Sequence, residues 1–514
     1  MKKIILGLLV CNIPAISLSA SRRCTKFTTI ETVPYVITEP GKYILCRNVT
    51  HVGAGPAITI ASSNVELCLF ARNITLTNPA ATGILVNKGE GEENQICCIK
   101  INNDSIENVF VGAQTGSGIH IRNACKVHLD NMFTVNHGNG LLIENSEDIF
   151  VEHSNFSSAQ QDGARIRGSS IITFEKSTFQ DNNTSIFCEA SELTGCRDFK
   201  ISNCSFPNAL LGIHLDLRTL EGMLLANSTF SITELTALEN YMVLLGTGVP
   251  LDNVNTVGIK FCTFSSSLNI QGVINYLGGT GLNIDASMFE LSSEDEGSLI
   301  RLATGSSAVQ VKNCILKTTL NRNGITAQGS SALIQKNIFQ DFSFAVRING
   351  ANQTTVDQCV MGNGIAAGVQ INGGANVDNV ISDCLILSCQ NDDGDAAGIL
   401  MPTITSRHNI IKNNIIVNNS EGIILSGSNN TIVNNDVILN RNNGIQLFVT
   451  ALANSVQRNR SHSNNTTGFI QDGLLVDNEF YYNTAHFNGV QFANIPVVKN
   501  PGTPTKEASN IEPA

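Results

Sequence analysis

Four residues in the first third of the chain have side chains that could cleave or bind a polysaccharide. His137 lies in the segment HGNG, and Asp162, Arg165 and Arg167 lie in QDGARIRG. Hydrolysis of a glycosidic bond needs two carboxyl groups about 5 to 10 Å apart, one as acid and the other as nucleophile or base. We therefore take these four residues as the candidates for a catalytic site, with Asp162 as its one carboxylate.

Charged residues also recur at fixed positions after a small residue that opens phrases of the type G-I-x-I/L. If successive phrases stack as strands, equivalent side chains lie about 4.8 Å apart. One interpretation is a ladder of surface salt bridges, each contributing well under about 1 kcal/mol. The other is a charged patch that binds a ligand, and its candidate residues are His120, Arg122, Glu144, Glu189 and Asp216.

A third group of candidates is acidic. Asp392, Asp393 and Asp395 lie in QNDDGDAAG, within a repeat of 30 residues where most have about 23. Oxygen ligands in a glycine-broken turn suit calcium, although a solvated acidic loop has the same composition. The cysteines and histidines show no CxxC or HxxxH spacing, so we expect no other metal cofactor.

Two markers with the same period predict the elements that position these residues. The small residue recurs at Gly118, Gly140, Gly163, Ser185, Gly324, Ala345, Gly368, Gly398, Gly422, Gly444 and Gly468. A large apolar residue recurs at Phe133, Phe156, Phe179, Phe206, Phe230, Phe264, Phe289, Leu316 and Phe339. Within each phrase apolar residues alternate, which indicates strands, and Asn, Gly, Ser and Asp between them suit tight turns. The prediction is an all-β fold: a single right-handed parallel β-helix of about 16 coils with three short parallel sheets.

Small polar residues two positions before the large marker face the same inward side. They are Ser177, Cys204, Ser228, Cys262, Ser287, Cys314 and Asn337. Stacked from coil to coil, such residues can form a ladder of hydrogen bonds that satisfies buried backbone groups. We therefore expect Cys204, Cys262, Cys314, Cys359 and Cys384 to be buried thiols. Disulfides are more plausible between Cys24 and Cys46 and between Cys188 and Cys196.

The phrases GIILSGSNNTIVNND and GIQL resemble the β-helix repeat of pectate-lyase-like proteins, polygalacturonases and periplasmic copper-delivery proteins. The resemblance covers about residues 30 to 492 and implies the fold, but the fold hosts many unrelated activities. Polygalacturonases carry aspartates on adjacent coils, whereas the equivalent positions here are Ser117, Asn139, Asp162 and Thr184. His137 also precedes Asp162, which is the reverse of the polygalacturonase order. The phrases FTVN, FQDN and FYYN are similar to repeats of chlamydial polymorphic membrane proteins.

The ends of the chain and its composition bear on where the protein acts. Lys2 and Lys3 followed by IILGLLVC predict a signal peptide over residues 1–20, and hence export. Residues 21–82 would lead into the first coils, residues 83–492 would form the β-helix, and the polar, Pro-containing residues 493–514 would be a disordered tail. The formal charge of −11 excludes nucleic acid as an expected partner, and no mature segment is apolar enough to span a membrane.

Two functions remain open. The first is a surface or secreted binding rod of the adhesin type, with a polysaccharide or another cell-surface component as partner and no catalytic constellation. Low charge (15%) and long regularity favour it. The alternative is a polysaccharide lyase or glycoside hydrolase. The absence of Trp and the presence of only 6 Tyr weigh against a sugar-cleaving groove, and so does the single carboxylate.

Overall fold

A computed structural model describes most of the chain as 53 short strands. The described residues are 27–87, 95–189, 196–208, 211–215, 221–232, 241–246, 254–268, 270–292, 297–319, 321–329, 331–374, 376–391, 393, 396–472 and 477–495. The predicted signal peptide and most of the predicted tail lie outside this set, so those boundaries stay predictions. Among the described residues there is no helix of the length and apolarity needed to cross a membrane.

The strands stack in parallel on three faces, and each turn of the chain adds one strand to each face. Face 1 contains the G-I-x-I phrases. Its strands are Tyr35–Ile37, Pro56–Ile60, Thr82–Val86, Ser117–Arg122, Asn139–Glu144, Asp162–Arg167, Thr184–Glu189, Leu211–Leu215, Tyr241–Leu245, Gly272–Tyr276, Ser298–Leu302, Asn323–Ala327, Ala397–Met401, Glu421–Leu425, Ile445–Leu447, Thr467–Gln471 and Val490–Ala493.

Face 2 follows face 1 in each turn. Its strands are Thr28–Ile30, Gly41–Leu45, Val65–Cys68, Glu147–Glu152, Ser170–Glu175, Arg197–Ser202, Glu221–Ala226, Val254–Lys260, Gly279–Asp285, Ser306–Ser307, Val309–Lys312, Ala332–Gln335, Thr355–Asp357, Val380–Ser382, Ile410–Lys412, Thr431–Val433, Ser455–Gln457 and Glu479–Tyr481.

Face 3 completes the turn. Its strands are Val49–His51, Asn73–Leu76, Asn155–Ser157, Thr178–Gln180, Ser205–Pro207, Thr229–Ile232, Thr263–Ser266, Met288–Leu291, Ile315–Lys317, Leu385–Leu387, Ile415–Val417, Asp436–Ile438, Arg460–His462 and Thr484–His486. Four long strands bend around a corner and belong to two faces each. Ile96–Asn108 and Ala124–Val135 join faces 2 and 3, and Ile338–Asn349 and Val360–Asn372 join faces 3 and 1.

This stacked parallel arrangement confirms the predicted all-β solenoid. A small residue lies near the start of most face-1 strands because the neighbouring turn lies so close, whereas Met242, Val273 and Leu299 occupy this position on three consecutive turns. A Cβ added to Gly118 would lie 2.7 Å from the carbonyl oxygen of Gly140. Large residues on face 3 fill the interior, where Phe156, Phe179, Phe206, Phe230, Phe264 and Phe289 form a column with ring centroids 4.3 to 5.3 Å apart.

Phe133 does not belong to this column, and its assignment to the interior series is wrong. The register pairs Phe133 with Asn155 and places Thr134 opposite Phe156. Thr134 is therefore buried, and the side chain of Phe133 is 45% exposed. A shift of one residue in a strand moves each side chain to the opposite side of the sheet. The predicted repeat length was therefore correct, although Phe133 was assigned to the inward side and lies on the outward side.

The polar ladders are confirmed. The backbone N–H groups of Cys204 and Cys262 donate to the hydroxyl oxygens of Ser228 and Ser287, both at 3.2 Å. The N–H of Cys314 donates to Oδ1 of Asn337 at 2.9 Å. In the last turns asparagines starting at Asn414 continue this ladder, and two further columns of asparagines occupy other positions of the repeat. The members of the three columns are Asn379, Asn409, Asn430, Asn454 and Asn478; Asn414, Asn435, Asn459 and Asn483; and Asn419, Asn440, Asn464 and Asn488.

The buried thiols and one disulfide agree with the prediction, and the structure contains one further disulfide. All five predicted ladder thiols are buried and outside any disulfide. The predicted disulfide between Cys188 and Cys196 is present. A second disulfide, between Cys97 and Cys125 on adjacent turns of face 2, was not predicted. Cys46 is exposed, and Cys24, its proposed partner, lies outside the described residues.

Candidate binding surfaces

Three of the charged residues predicted on face 1, His120, Glu144 and Glu189, form one network of hydrogen bonds and ion pairs with Arg165 and Arg167. Glu144 accepts a hydrogen bond from Nε2 of His120 at 2.9 Å and pairs with Arg167 Nη1 at 3.1 Å. Oε2 of Glu189 accepts from Nε of Arg167 at 2.7 Å and from Nη2 of Arg165 at 2.8 Å. These contacts join four adjacent turns, because the strands pair in the predicted register.

The ion pairs keep two of the carboxyl groups deprotonated. The hydrogen bond from His120, helped by Arg167, lowers the pKa of Glu144 to about 2. Burial alone would raise the pKa of Glu189, but the hydrogen bonds from Arg165 and Arg167 outweigh it and lower that pKa. A general acid must hold a proton near neutral pH, so neither glutamate is suited to that role.

Asp162 differs from the two glutamates because it is only 4% exposed. Burial raises its pKa, although the neighbouring Arg165 guanidinium, whose Nη1 lies 3.3 Å from Oδ2 of Asp162, opposes the rise. The guanidinium of Arg165 also lies over the ring of Phe187, with 5.0 Å between Cζ and the ring centroid. Asp162, Arg165 and Arg167 are thus brought together, as the sequence predicted, but within the salt-bridged ladder.

His137, the fourth catalytic candidate, does not join this network. It is 1% exposed, and its Nε2 donates to the carbonyl oxygen of Ile106 at 3.0 Å inside the coil. Burial lowers its pKa to about 4. The histidine is therefore part of the interior, where a substrate cannot reach it.

The remaining candidates are placed only in part. Arg122 ends its face-1 strand and is exposed. Asp216, Asp392 and Asp395 lie outside the described residues, and Asp393 is exposed. The calcium site therefore stays a prediction.

A cleft of about 490 Å³ lies near the N-terminal end of face 3, and sequence reasoning missed it. Its lining residues are Phe70, Ala71, Asn73, Asn103, Ser105, Asn131 and Phe133. Asn73, Ser105 and Phe133 are in register on three adjacent strands. Phe70 precedes the first of these strands, in a left-handed turn conformation (φ 51°).

The cleft combines exposed aromatic rings with amide groups. Phe70 is 63% exposed and Phe133 is 45% exposed, and they belong to turns two coils apart. Between them the side-chain N–H of Asn131 donates to Oδ1 of Asn103 at 3.0 Å, at the corner between faces 2 and 3. None of the seven lining side chains is an acid or a base at neutral pH. The cleft can bind a ligand through flat apolar surfaces and hydrogen bonds, but it cannot transfer a proton to it.

Sequence comparison places the chain in a known family. A family model described as the right handed beta helix region matches residues 47–230, 117–289 and 298–460. The chain therefore belongs to the right-handed β-helix family, which confirms the handedness predicted from the repeat. No curated protein sequence matches it.

The solved structures that this chain resembles are distant from it in sequence. The surface protein and adhesin PfbA of Streptococcus pneumoniae has 12% identity and a TM-score of 0.39, over 78% of this chain and 91% of that one. A mutant tailspike protein of Escherichia coli bacteriophage HK620, in complex with a hexasaccharide, has 12% identity and a TM-score of 0.47, over 77% and 71%. DFA-IIIase from Arthrobacter chlorophenolicus has 11% identity and a TM-score of 0.27, over 78% and 83%. Identities and TM-scores this low do not indicate what this chain binds.

Proposed function

We propose that this protein is an exported, non-catalytic surface or secreted rod that binds a polysaccharide in the cleft between Phe70 and Phe133. The observation that carries the proposal is the chemistry of the cleft: two exposed phenyl rings, three asparagine amides and one serine hydroxyl, with no titratable group. Binding sites combine apolar and aromatic walls with a few placed hydrogen-bonding groups. A neutral sugar offers apolar C–H faces to the rings and hydroxyl groups to the amides.

The spacing along the rod supports a chain of sugars over a single one. Phe70 and Phe133 are two coils apart, which corresponds to about 10 Å along the axis at about 4.8 Å per coil. Asn73, Ser105 and the corner pair Asn103 and Asn131 occupy the interval. A glycan lying along the rod would therefore contact both rings and the amides between them.

Binding to a panel of bacterial, plant and algal polysaccharides tests the proposal, with affinity measured by calorimetry for each glycan retained. Replacing Phe70 by Ala should weaken binding by about tenfold, because loss of an apolar contact of this size costs about 1.5 kcal/mol. Phe133→Ala should have a similar effect.

Phe261 provides a matched control. It is 61% exposed and has a left-handed φ of 54°, close to the values for Phe70, but it lies far along the rod. Phe261→Ala should leave the affinity unchanged. Equal loss of affinity in Phe70→Ala and Phe261→Ala would refute the proposal. So would the absence of any bound glycan with the folded wild type.

Hydrolysis or elimination is a second candidate because Asp162 is a buried carboxyl with a raised pKa, the property of a general acid. Incubation with the same polysaccharides, followed by assays for reducing and unsaturated ends, separates the two functions. Release of either kind of end, abolished by Asp162→Asn, would favour the enzyme over the binding rod.

A further inference from the structure

A second cluster of polar side chains lies on face 2, away from the charged ladder of face 1. It comprises Asp130, Glu152 and His153, and the potential ligand atoms of these residues all lie within 4.8 Å of one another. Asp130 and Glu152 are in register on adjacent strands, so their like charges lie one coil apart. His153 follows Glu152 directly, in a left-handed turn (φ 48°) that brings its ring back towards both carboxylates.

The three side chains are close enough to share one metal ion. Nδ1 of His153 lies 3.3 Å from Oδ1 of Asp130 and 3.5 Å from Oε2 of Glu152. The first of these contacts is a hydrogen bond, slightly longer than the usual 2.7 to 3.2 Å. In a tetrahedral zinc site with bonds of about 2.0 to 2.1 Å, neighbouring ligand atoms are about 3.3 to 3.4 Å apart. The imidazole nitrogen is thus placed as a zinc ligand would be relative to two carboxylate oxygens.

A fourth residue orients the central carboxylate. Nε2 of His128 lies 2.8 Å from Oε1 of Glu152, a normal hydrogen bond. That bond occupies one carboxylate oxygen and leaves Oε2 directed towards His153. Such outer contacts to ligating carboxylates are common in metal sites.

The next turn shows that the cluster is not a general feature of the repeat. The equivalent residues there are Glu175, in register with Glu152, and Lys176, at the position that follows it. Lys176 pairs with Glu175 at 3.4 Å and so neutralises that carboxylate with a fixed cation. The pair Asp130 and Glu152 has a histidine where the next turn has the lysine.

We propose that Asp130, Glu152 and His153 bind a divalent transition metal ion such as Zn²⁺, with Oδ1, Oε2 and Nδ1 as ligands and a fourth position open to water. A cation between the two carboxylates relieves their repulsion. An imidazole ligand favours Zn²⁺ over Ca²⁺ or Mg²⁺, which prefer oxygen ligands alone. The proposal is independent of glycan binding.

Calorimetric titration of the full chain with Zn²⁺, after dialysis against a chelator, tests the proposal. The wild type should bind one Zn²⁺ per chain. His153→Asn keeps a residue that accepts the left-handed turn and should weaken binding at least about tenfold. His408→Asn is the matched control, because His408 is also exposed and left-handed (φ 58°), and it belongs to no such cluster among the described residues. Its affinity should equal that of the wild type.

Two further measurements keep the test independent of folding defects in one variant. Asp130→Asn should also lose Zn²⁺. The fold accommodates asparagine at this position, because Asn102 is the equivalent residue on the preceding turn. Co²⁺ in place of Zn²⁺ should give the intense visible absorption of a tetrahedral site in the wild type and the His408 variant only. No saturable Zn²⁺ binding by the wild type, or Ca²⁺ binding tighter than Zn²⁺, or unchanged affinity in His153→Asn, would overturn the proposal.

Discussion

Replacement of Asn435 by alanine should destabilise the last turns of the solenoid far more than its small change in volume implies. The side chain is fully buried. Its Oδ1 accepts from the backbone N–H of Asn414 at 3.0 Å and from Nδ2 of Asn414 at 2.9 Å. Its Nδ2 donates to the carbonyl oxygen of Ile411 at 3.0 Å and to Oδ1 of Asn459 at 2.9 Å.

The expected magnitude follows from the groups that lose their partner. Alanine would leave the backbone N–H and the Nδ2–H of Asn414, and the carbonyl of Ile411, without these hydrogen bonds. A buried polar group left unpaired costs about 1 to 3 kcal/mol. Three such groups give a loss of at least about 3 kcal/mol in the free energy of local unfolding.

Hydrogen exchange at the backbone amide of Asn414 reports this loss directly, because repeat proteins can open locally without global unfolding. A loss of about 3 kcal/mol corresponds to exchange about 100-fold faster or more. Asn434→Gly is the control. Asn434 is the adjacent residue but is exposed, and its φ of 56° suits glycine, so we expect a change under about 0.5 kcal/mol. A loss below about 1 kcal/mol in Asn435→Ala, or equal losses in the two variants, would refute the ladder argument.

Three further predictions concern stability. Phe206→Ala removes a fully buried ring whose centroid lies 5.3 and 4.3 Å from those of its two neighbours, and it should lower the free energy of unfolding by about 3 to 5 kcal/mol; a loss under about 1 kcal/mol in urea titration would contradict the packed column. His137 has a folded-state pKa of about 4 against an ordinary 6.5, so the unfolded chain takes up its proton first and stability should fall as the pH drops from about 6.5 to 4; His137→Gln should abolish that part of the decline, and an unchanged profile would mean that the ring is not buried neutral. Glu144 has its pKa lowered from 4.5 to about 2, so its contribution is present above pH 4.5 and is lost as the pH falls towards 2; Glu144→Gln should flatten the profile in that lower window and leave the window of His137 unaffected.

The predicted parts of the fold are those that depend on local periodicity. Alternation of apolar residues, a small residue at Gly118 and its equivalents, and polar residues at fixed positions recur about every 23 residues. Each of these patterns reflects a requirement that most coils meet separately: an inward apolar side, close approach of neighbouring backbones and pairing of buried polar groups. The buried cysteines and the asparagine columns could be predicted for the same reason.

The candidate sites were predicted less completely because they depend on which outward side chains meet. The charged ladder was found because each of its members lies either two or four residues after the small marker. The cleft was missed because Phe133 follows the period of the interior column and yet lies one residue out of register with it. Asp130 and Glu152 occupy equivalent positions of adjacent turns, but the repeat period does not show that the ring of His153 turns back towards them. Cys97 and Cys125 pair across an enlarged turn that no simple period describes.

The sequence by itself therefore determined that this chain forms a parallel β-solenoid and most of the residues that line its interior, since strand alternation and coil length are properties of one turn at a time. Only the tertiary structure decided which exposed residues lie together, since those contacts depend on the exact register between turns. A shift of a single residue moves Phe133 from the core to the surface. The same register brings His153 to two carboxylates on adjacent turns.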